Sequence, residues 1–289
     1  MLTVSRKSIS KSSWIFFLIR KKVLKMLDTE NELEINGVVL LKECIDKNIM
    51  ETVRSEYEKV VKITTNVEVE RDRPIVVLWR HVVGEQKKLT NFEEFPSLWD
   101  LINKSIVPVL RRKFPSKTAR LQLLETIIFN KPSEISNTLN WHQDVSYFPL
   151  KPNNQLAVWI PFEPVDKDRS AMVYALGSHK LGIMGSTNLH TGEKFENENR
   201  PIIPENPEEL GLEVKCMDMN PDDMLVHDGY TWHYSGPNIV PGYTRKGLSV
   251  RFILDETVFD PRPGQGAAFT KQIEVKPGEV VKGLPFPLL

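Results

Sequence analysis

The sequence predicts a mainly β protein with flanking α-helices. After about residue 120, short apolar or β-branched runs alternate with turn residues, a rhythm typical of an antiparallel sandwich or barrel. Two amphipathic stripes at helical spacing precede these runs. The chain also holds 20 prolines and 15 glycines, which favours turns and sheet edges over a helical bundle.

Both helices are predicted in the N-terminal part. The first covers residues 41–63, where apolar side chains recur every three or four residues from Ile45 to Val60. The second runs from Ser97 to Phe114, and Pro108 is expected to kink or end it. Both stripes are typical of core packing.

Five apolar runs are predicted to be strands of the β part: Leu121–Phe129, Leu156–Phe162, Ala171–Leu176, Asp223–Val226 and Leu248–Leu254. A long polar segment from Leu181 to about Met219 interrupts their spacing. Long loops in compact domains are usually lids, binding loops or disordered. We therefore expect this segment to contribute to the choice of substrate.

The expected organisation of the 289 residues is an extension followed by one domain. Residues 1–26 are predicted to be poorly ordered. Residues 27–289 are predicted to form a single domain with a helical part at 27–119, a β core at about 120–260 and a C-terminal tail.

Charge is unevenly distributed along the chain. Residues 1–26 contain 7 of the 38 basic residues and no acidic residue, which leaves 31 basic and 38 acidic residues in the remainder. This acidic remainder argues against a nucleic-acid-binding protein. The apolar run from Trp14 to Ile19 is too short for a membrane span. Two cysteines provide no disulfide framework, so we expect a reducing, cytoplasmic location.

The segment Trp141-His142-Gln143-Asp144 follows a strand-like run. On a strand, the side chains of His142 and Asp144 would project from the same face. With one further ligand, such a pair forms a facial two-histidine, one-carboxylate site, which binds iron(II) and leaves other positions open. The His-x-Asp pair alone is not specific, because a histidine held by a neighbouring carboxylate has the same pattern.

Five segments occur in a recognisable order: WHQD followed by YFPL, then LAVWIPFEPVD, AMVYALGSHK, TWHYSGPN and RKGLSVRF. Together they resemble the phytanoyl-CoA dioxygenase family over about residues 120–255. Members of that family are iron(II)- and 2-oxoglutarate-dependent oxygenases. The resemblance implies a double-stranded β-helix core, that is, a cupin-like jelly roll, with N-terminal helices.

The resemblance implies that His142, Asp144 and His233 are the catalytic metal ligands. His227 is the alternative third ligand, since it lies six residues before His233. The family pattern places the ligand beside Ser-Gly-Pro-Asn, and this favours His233.

Four further residues are implied to form the cosubstrate pocket. Arg245 corresponds to the arginine that pairs with the distal carboxylate of 2-oxoglutarate, and Ser235 to a serine that also bonds that carboxylate. A guanidinium suits this role because it can hold a carboxylate through two hydrogen bonds without losing its charge. Asn130 and Trp159 correspond to pocket positions on neighbouring strands.

Substrate contacts are expected from Tyr147 and Phe148, which follow the metal-ligand pair, and from Arg251. Arg251 lies an even number of residues from Arg245, so both side chains could face the same interior. A structural ion pair is an equally plausible role for Arg251.

The resemblance therefore implies an oxidoreductase that uses iron(II), 2-oxoglutarate and dioxygen. Related halogenases lack the carboxylate ligand, so Asp144 favours hydroxylation of an unactivated C–H bond with release of succinate and carbon dioxide. Desaturation, ring closure and epimerisation remain open. The β part has no basic cluster suited to the phosphates of coenzyme A, which favours a small metabolite, as in secondary metabolism. The alternatives are a cupin-like metalloprotein that does not use 2-oxoglutarate and a catalytically silent binding protein.

Overall fold

The computed structural model describes residues 28–64, 76–82, 95–133, 138–261, 275–282 and 287–289. The predicted extension at residues 1–26 lies outside these ranges. Two antiparallel sheets dominate the described chain, and helices pack on the outer face of the larger sheet. This arrangement confirms the predicted mainly β class with flanking helices.

The helical elements are residues 28–36 (α1), Lys47–Thr64 (α2), Pro96–Asp100 (α3), a π-helical turn at Leu101–Ile106, Val107–Lys113 (α4), and 3-10 turns at Asp144–Tyr147, Ser178–Leu181 and Pro207–Leu210. None of the helices within the described ranges is long and apolar enough to cross a membrane.

The strands are Val38–Leu41 (β1), Val76–Val82 (β2), Gln122–Lys131 (β3), Leu139–His142 (β4), Leu150–Lys151 (β5), Gln155–Pro161 (β6), Met172–Ala175 (β7), Val214–Cys216 (β8), Met224–Asp228 (β9), His233–Ser235 (β10), Arg245–Ile253 (β11) and Val258–Phe259 (β12). All five predicted runs correspond to strands within this set.

The strand order is that of a jelly roll. The larger sheet has the order β1-β9-β6-β11-β3-β2, and the smaller sheet has the order β4-β10-β7-β8. Counting β3, β4 and β6–β11 as eight successive strands, the first, eighth, third and sixth lie together, and the second, seventh, fourth and fifth face them. This is the expected double-stranded β-helix. Strands β1 and β2 extend the larger sheet at its two edges.

Alternation along β11 separates an apolar face from a charged face. Leu248, Val250 and Phe252 pack in the same hydrophobic cluster as the helices. The intervening side chains point the other way, and Arg245 and Arg251 contact residues from the opposite side of the sandwich. The prediction that the two arginines face the same interior is confirmed.

Helix α2 begins at Lys47, six residues later than predicted. The Oδ1 atom of Asp46 accepts hydrogen bonds from the backbone N–H groups of Asn48 (2.9 Å) and Ile49 (3.3 Å). This cap fixes the helix start. The residues up to Leu41 instead form β1, which pairs with β9.

Pro108 does not end the second predicted helix. It lies at the second position of α4, directly after the π-helical turn at Leu101–Ile106. A proline lacks a backbone N–H and cannot close a normal helical hydrogen bond, and proline is well tolerated in the first turn of a helix. The π-helical turn leads directly into α4. Apolar residues before and after the turn therefore stay in the core.

The long polar segment is organised around the buried Glu198. Its carboxylate accepts hydrogen bonds from the backbone N–H and hydroxyl of Ser186, both at 3.0 Å, and from the backbone and guanidinium of Arg200. Although burial opposes ionisation, these bonds lower the pKa of Glu198 to about 2.

We expect Glu198→Gln to lower the free energy of unfolding by about 2 kcal/mol at neutral pH, because the amide has a single acceptor oxygen and its NH2 group would face donors of Ser186 or Arg200. A depressed pKa stabilises the fold above the ordinary value of 4.5, and this stabilisation is lost as the pH falls through about 2. Urea titrations should therefore show a constant difference from wild type above about pH 5 and a shrinking difference below it. A difference that grows on acidification would contradict this assignment.

Candidate metal centre

Three buried side chains from three elements meet between the sheets. His142 ends β4, Asp144 begins a 3-10 turn and His233 begins β10. One potential ligand atom of each lies within 4.8 Å of the others. His142 and His233 are cross-strand partners, and their ring centroids are 4.1 Å apart. The structure thus brings together the three predicted ligands.

Asp144 lies just beyond the strand on which the sequence placed it. Gln143, between the two ligands, is nevertheless extended, with φ −125° and ψ 144°. An extended residue turns the side chains on either side of it to the same face. The expected projection of His142 and Asp144 is therefore retained, although the strand ends at His142.

The tautomers of both ligand histidines follow from their hydrogen bonds. The Nδ1 atom of His142 lies 2.8 Å from the carbonyl oxygen of Asn140, and that of His233 lies 2.9 Å from the carbonyl oxygen of Thr231. A carbonyl oxygen can only accept, so each Nδ1 carries the hydrogen. Burial lowers the pKa of His142 to about 4 and holds the pKa of His233 well below its ordinary value. Both Nε2 lone pairs are consequently available to a metal.

His227 lies beside the centre with a different hydrogen-bond pattern. Its Nε2 atom is 3.3 Å from Oδ2 of Asp144, and its Nδ1 atom is 3.1 Å from the hydroxyl of Tyr174. An ionised carboxylate only accepts, so Nε2 donates to Asp144 and Nδ1 accepts from Tyr174. Because Nε2 is engaged with the ligand carboxylate, His227 supports Asp144, and His233 is the third member of the cluster.

Arg251 bridges two buried carboxylates. Its Nη2 donates to Oδ1 of Asp144 at 2.8 Å, and its Nη1 donates to Oε2 of Glu125 at 2.7 Å. Burial opposes ionisation of Asp144, but Arg251 and His227 hold its pKa well below its usual range. Arg251 thus forms the structural ion pair named above as its alternative role, and its contact with substrate stays a prediction. Two neutral imidazoles and one ionised carboxylate fit iron(II).

Arg245 is a buried cation that forms no ion pair with a carboxylate among the described residues. Its Nη2 atom lies 3.3 Å from Sδ of Met172, and its guanidinium lies 4.6 Å from the ring of Trp159. Its Nε atom has no hydrogen-bond partner among the described residues. Burial lowers the pKa of Arg245 to about 10, so it remains charged at neutral pH. Unused donors on a buried guanidinium fit a carboxylate ligand.

Trp159 fits beside Arg245 only because position 247 is a glycine. A Cβ atom on Gly247 would lie 2.5 Å from Cζ2 of Trp159, well inside van der Waals contact. The two residues come from the neighbouring strands β6 and β11. The indole therefore lies flat against the sheet and forms one wall of the space occupied by Arg245.

The side chain of Asn130 does not point toward the interior between the two sheets, where Arg245 lies. It pairs with Lys246, whose Nζ lies 5.1 Å from the ring of Tyr57 on α2, so it belongs to the helix-covered face. The cross-strand partner of Arg245 is Lys131, one residue later. Paired residues share a face, so Lys131 occupies the position that the sequence assigned to Asn130.

Comparison with known proteins agrees with this geometry. The model of the phytanoyl-CoA dioxygenase family matches residues 33–247. The chain belongs to the phytanoyl-CoA dioxygenase family. The peroxisomal phytanoyl-CoA dioxygenase of Bos taurus is 22% identical over 173 residues, which are 57% of this chain and 51% of that protein. The chain thus spans about half the length of the curated relatives it matches.

Two solved structures share the fold of this phytanoyl-CoA dioxygenase family member. The non-heme alpha ketoglutarate dependent carbocyclase SnoK has a TM-score of 0.67 and 18% identity, with 91% of this chain and 95% of that chain covered. The epimerase SnoN, in complex with Fe3+, alpha ketoglutarate and nogalamycin RO, has a TM-score of 0.66 and 16% identity, with coverages of 92% and 99%.

Tyr147 and Phe148, the two aromatic residues predicted to contact substrate, lie in different environments in this family member. The ring of Tyr147 lies against His142, with centroids 6.2 Å apart, and its hydroxyl donates to the carbonyl oxygen of Thr187 at 2.9 Å. Phe148 is buried in a small hydrophobic cluster with Leu124 and other apolar residues. Tyr147 therefore lies between the metal centre and the polar loop, whereas Phe148 packs in the core.

Gln143 links the long polar segment to the candidate metal ligands. The sequence did not indicate this link. Its Nε2 donates to the carbonyl oxygens of Gly182 (3.1 Å) and Tyr230 (2.9 Å). Its Oε1 accepts the backbone N–H of Met184 at 2.7 Å. Since Gln143 lies between His142 and Asp144, the start of the loop is attached to the ligand segment itself.

We expect Gln143→Leu to loosen this attachment, because it removes the amide donor to the carbonyl oxygens of Gly182 and Tyr230 and the acceptor for the backbone N–H of Met184. The free energy of unfolding should fall by about 2 kcal/mol or more. Limited proteolysis should cleave more rapidly near residue 184. The matched variant Gln143→Glu keeps the acceptor for Met184 but cannot donate to either carbonyl oxygen, so its change measures the loss of those two bonds. Cleavage at the wild-type rate in Gln143→Leu would show that the side chain does not hold the loop.

Proposed function

We propose that the protein is an iron(II)- and 2-oxoglutarate-dependent dioxygenase that hydroxylates an unactivated C–H bond of a small metabolite. The observation that carries this proposal is the pairing of two complementary sites in one interior. One consists of two free imidazole nitrogens and an ionised carboxylate. The other is a buried guanidinium with unused donors.

The roles of the residues follow from these contacts. His142, Asp144 and His233 would hold the iron, with His227 and Arg251 orienting the carboxylate. Arg245 would bind the distal carboxylate of the cosubstrate, and Trp159 would limit the pocket beside it. Burial of all three ligands keeps bulk water from competing with the cosubstrate.

When bound, iron would couple the oxidative decarboxylation of 2-oxoglutarate, which yields succinate and carbon dioxide, to insertion of one oxygen atom into a C–H bond. Asp144 supports hydroxylation over halogenation, since its carboxylate occupies the ligand position that halogenases leave free. Arg251 and His227 keep this carboxylate ionised and oriented.

The loop that follows β7 supports a small-molecule substrate selected near the metal. It is attached to the ligand segment through Gln143 and to Tyr147 through the carbonyl of Thr187. Side chains of this loop would therefore contact whatever lies over the open face of the metal. We extend the proposal to a single oxygenase domain from residue 27 onward, because α2, α4, β6 and β11 contribute to one hydrophobic cluster.

The proposal is tested by incubating the iron(II)-loaded protein with 2-oxoglutarate, ascorbate, oxygen and pooled metabolites, followed by mass spectrometry. The expected result is a product heavier by one oxygen atom, formed in a one-to-one ratio with succinate. Asp144→Ala, which removes one ligand, should form neither. If the wild type binds the metal but yields no succinate above the Asp144→Ala background with any pool, the proposed activity is wrong.

A further inference from the structure

Lys131 is a second buried basic side chain next to Arg245. Lys131 is 0% exposed and Arg245 is 2% exposed, and they are cross-strand partners on β3 and β11. Within the described part of the chain, neither forms an ion pair with a carboxylate; their contacts are hydroxyls, carbonyls, a thioether and an aromatic ring. Burying a charge without a counterion is costly, so the buried guanidinium of Arg245, with a second basic group beside it, indicates a site for an anion.

The Nζ atom of Lys131 is surrounded by four oxygen atoms. They are the Oγ atoms of Ser170 (2.8 Å) and Ser235 (3.0 Å) and the carbonyl oxygens of Ser235 (3.2 Å) and Gly236 (2.5 Å). These bonds tie the end of β3 to the end of β10. Position 235 is also two residues beyond His233, so Lys131 is bonded to the backbone that follows this candidate ligand.

The bond to Ser235 determines what its hydroxyl can do. In its ammonium form Lys131 can only donate, so Oγ of Ser235 then accepts from Lys131 and keeps its own hydrogen for another acceptor. That hydrogen has no acceptor among the residues in the described ranges. By contrast, the hydroxyl of Ser170 donates to the carbonyl oxygen of Gly236 at 2.6 Å.

The sheet pairing places the Ser235 hydroxyl on the side of Arg245. Ser235 pairs with Met172 across β10 and β7, and Sδ of Met172 lies 3.3 Å from Nη2 of Arg245. The unpartnered Nε of Arg245, the free hydroxyl hydrogen of Ser235 and the amine of Lys131 thus belong to one region between the sheets.

We propose that Lys131 is a positioning residue for the distal carboxylate of the cosubstrate: it turns the Ser235 hydroxyl into a donor for that carboxylate, and its charge favours a dicarboxylic over a monocarboxylic 2-oxo acid. This inference rests on the proposed function.

The ionisation of Lys131 is consistent with this role. Burial and the charge of Arg245 lower the pKa of Lys131 to about 6, so near neutral pH the amine is mostly neutral until an anion binds beside it. A carboxylate bound to Arg245 neutralises that charge and favours the ammonium form, since an opposite charge nearby stabilises the charged state. Lys131 is thus placed to respond to an anion at Arg245.

The test compares two ligands in the manganese(II)-loaded protein by calorimetry. They are 2-oxoglutarate and 2-oxopentanoate, which has the same chain length but lacks the distal carboxylate. Lys131→Met, which keeps a long apolar side chain, should weaken 2-oxoglutarate binding by about 10- to 100-fold. It should change 2-oxopentanoate binding less than about threefold. Equal losses for both ligands, or no loss for either, would overturn the inference.

Ser235→Ala supplies a second, smaller change that leaves the fold less disturbed. It should reduce the preference for 2-oxoglutarate in the same direction. If Lys131 acts through Ser235, the double variant should lose less than the product of the two single losses. Fully multiplicative losses would refute the link between them. If the manganese-loaded wild type does not bind 2-oxoglutarate at all, the proposed function fails, whereas wild-type binding that is unaffected by either substitution refutes only the role of Lys131.

Discussion

Arg245→Ala is expected to weaken 2-oxoglutarate binding by about 100-fold or more while metal binding is retained. Removing one partner of a buried, hydrogen-bonded charge pair typically costs 2–5 kcal/mol, roughly a 30-fold loss of affinity or more. Arg245 is not hydrogen-bonded to any of the three metal ligands, and its contacts are with Met172 and Trp159. The loss should therefore be confined to the cosubstrate.

The measurement is calorimetric titration of the manganese(II)-loaded protein with 2-oxoglutarate. Arg245→Lys keeps the charge but not the planar fork, so its affinity should lie between those of wild type and Arg245→Ala. Arg112→Ala, at an exposed position of α4, serves as a neutral control. Wild-type affinity in Arg245→Ala would favour the alternative of a cupin-like metalloprotein that does not use 2-oxoglutarate.

Arg251→Met is expected to cause the largest loss of stability, about 3–5 kcal/mol. Arg251 is the shared partner of Glu125 and Asp144, so its removal leaves two buried carboxylates without the cation between them. For a chain of this size, the midpoint of thermal unfolding should fall by about 10 °C. Calorimetry or urea unfolding of the metal-free protein measures the effect.

Control variants separate the effect of the lost charge of Arg251 on stability from the effect of altered packing. Arg251→Lys retains a cation and should lose less stability. In the double variant Glu125→Gln with Arg251→Met, one of the two carboxylates is gone, so part of the loss should be recovered. Manganese(II) should also narrow the gap to wild type, because a metal ion neutralises Asp144. Wild-type stability of metal-free Arg251→Met would show that the carboxylates do not need this guanidinium.

The cluster of His142, Asp144 and His233 was predictable from the sequence, while the contacts that support it were predictable only in part. The His-x-Asp spacing requires an extended residue between the ligands, and Gln143 has that conformation. Alternation along one strand predicted that Arg245 and Arg251 share a face. The partners of Arg251 were not predictable, because Glu125 and Asp144 reach it from distant parts of the chain.

The remaining errors of the sequence-based prediction come from features that a shift of one or a few residues decides. Whether position 130 or 131 faces Arg245 depends on how β3 pairs with β11, and a shift of one residue reverses the face. The start of α2 depends on the cap at Asp46, which interrupts a continuous apolar stripe. The bonds of Gln143 to Gly182 and Tyr230 span 39 and 87 residues, so no local pattern could reveal them.

The contact between Gly247 and Trp159 has a consequence for redesign of the protein. The indole of Trp159 fills the volume that any side chain at position 247 would need. A substitution at position 247 therefore requires a second substitution at position 159. A library that varies either one alone would sample clashes or cavities, whereas joint substitution, with a larger residue at 247 and a smaller one at 159, would reshape the chamber around Arg245. Such paired variants offer a route to accepting bulkier keto acids.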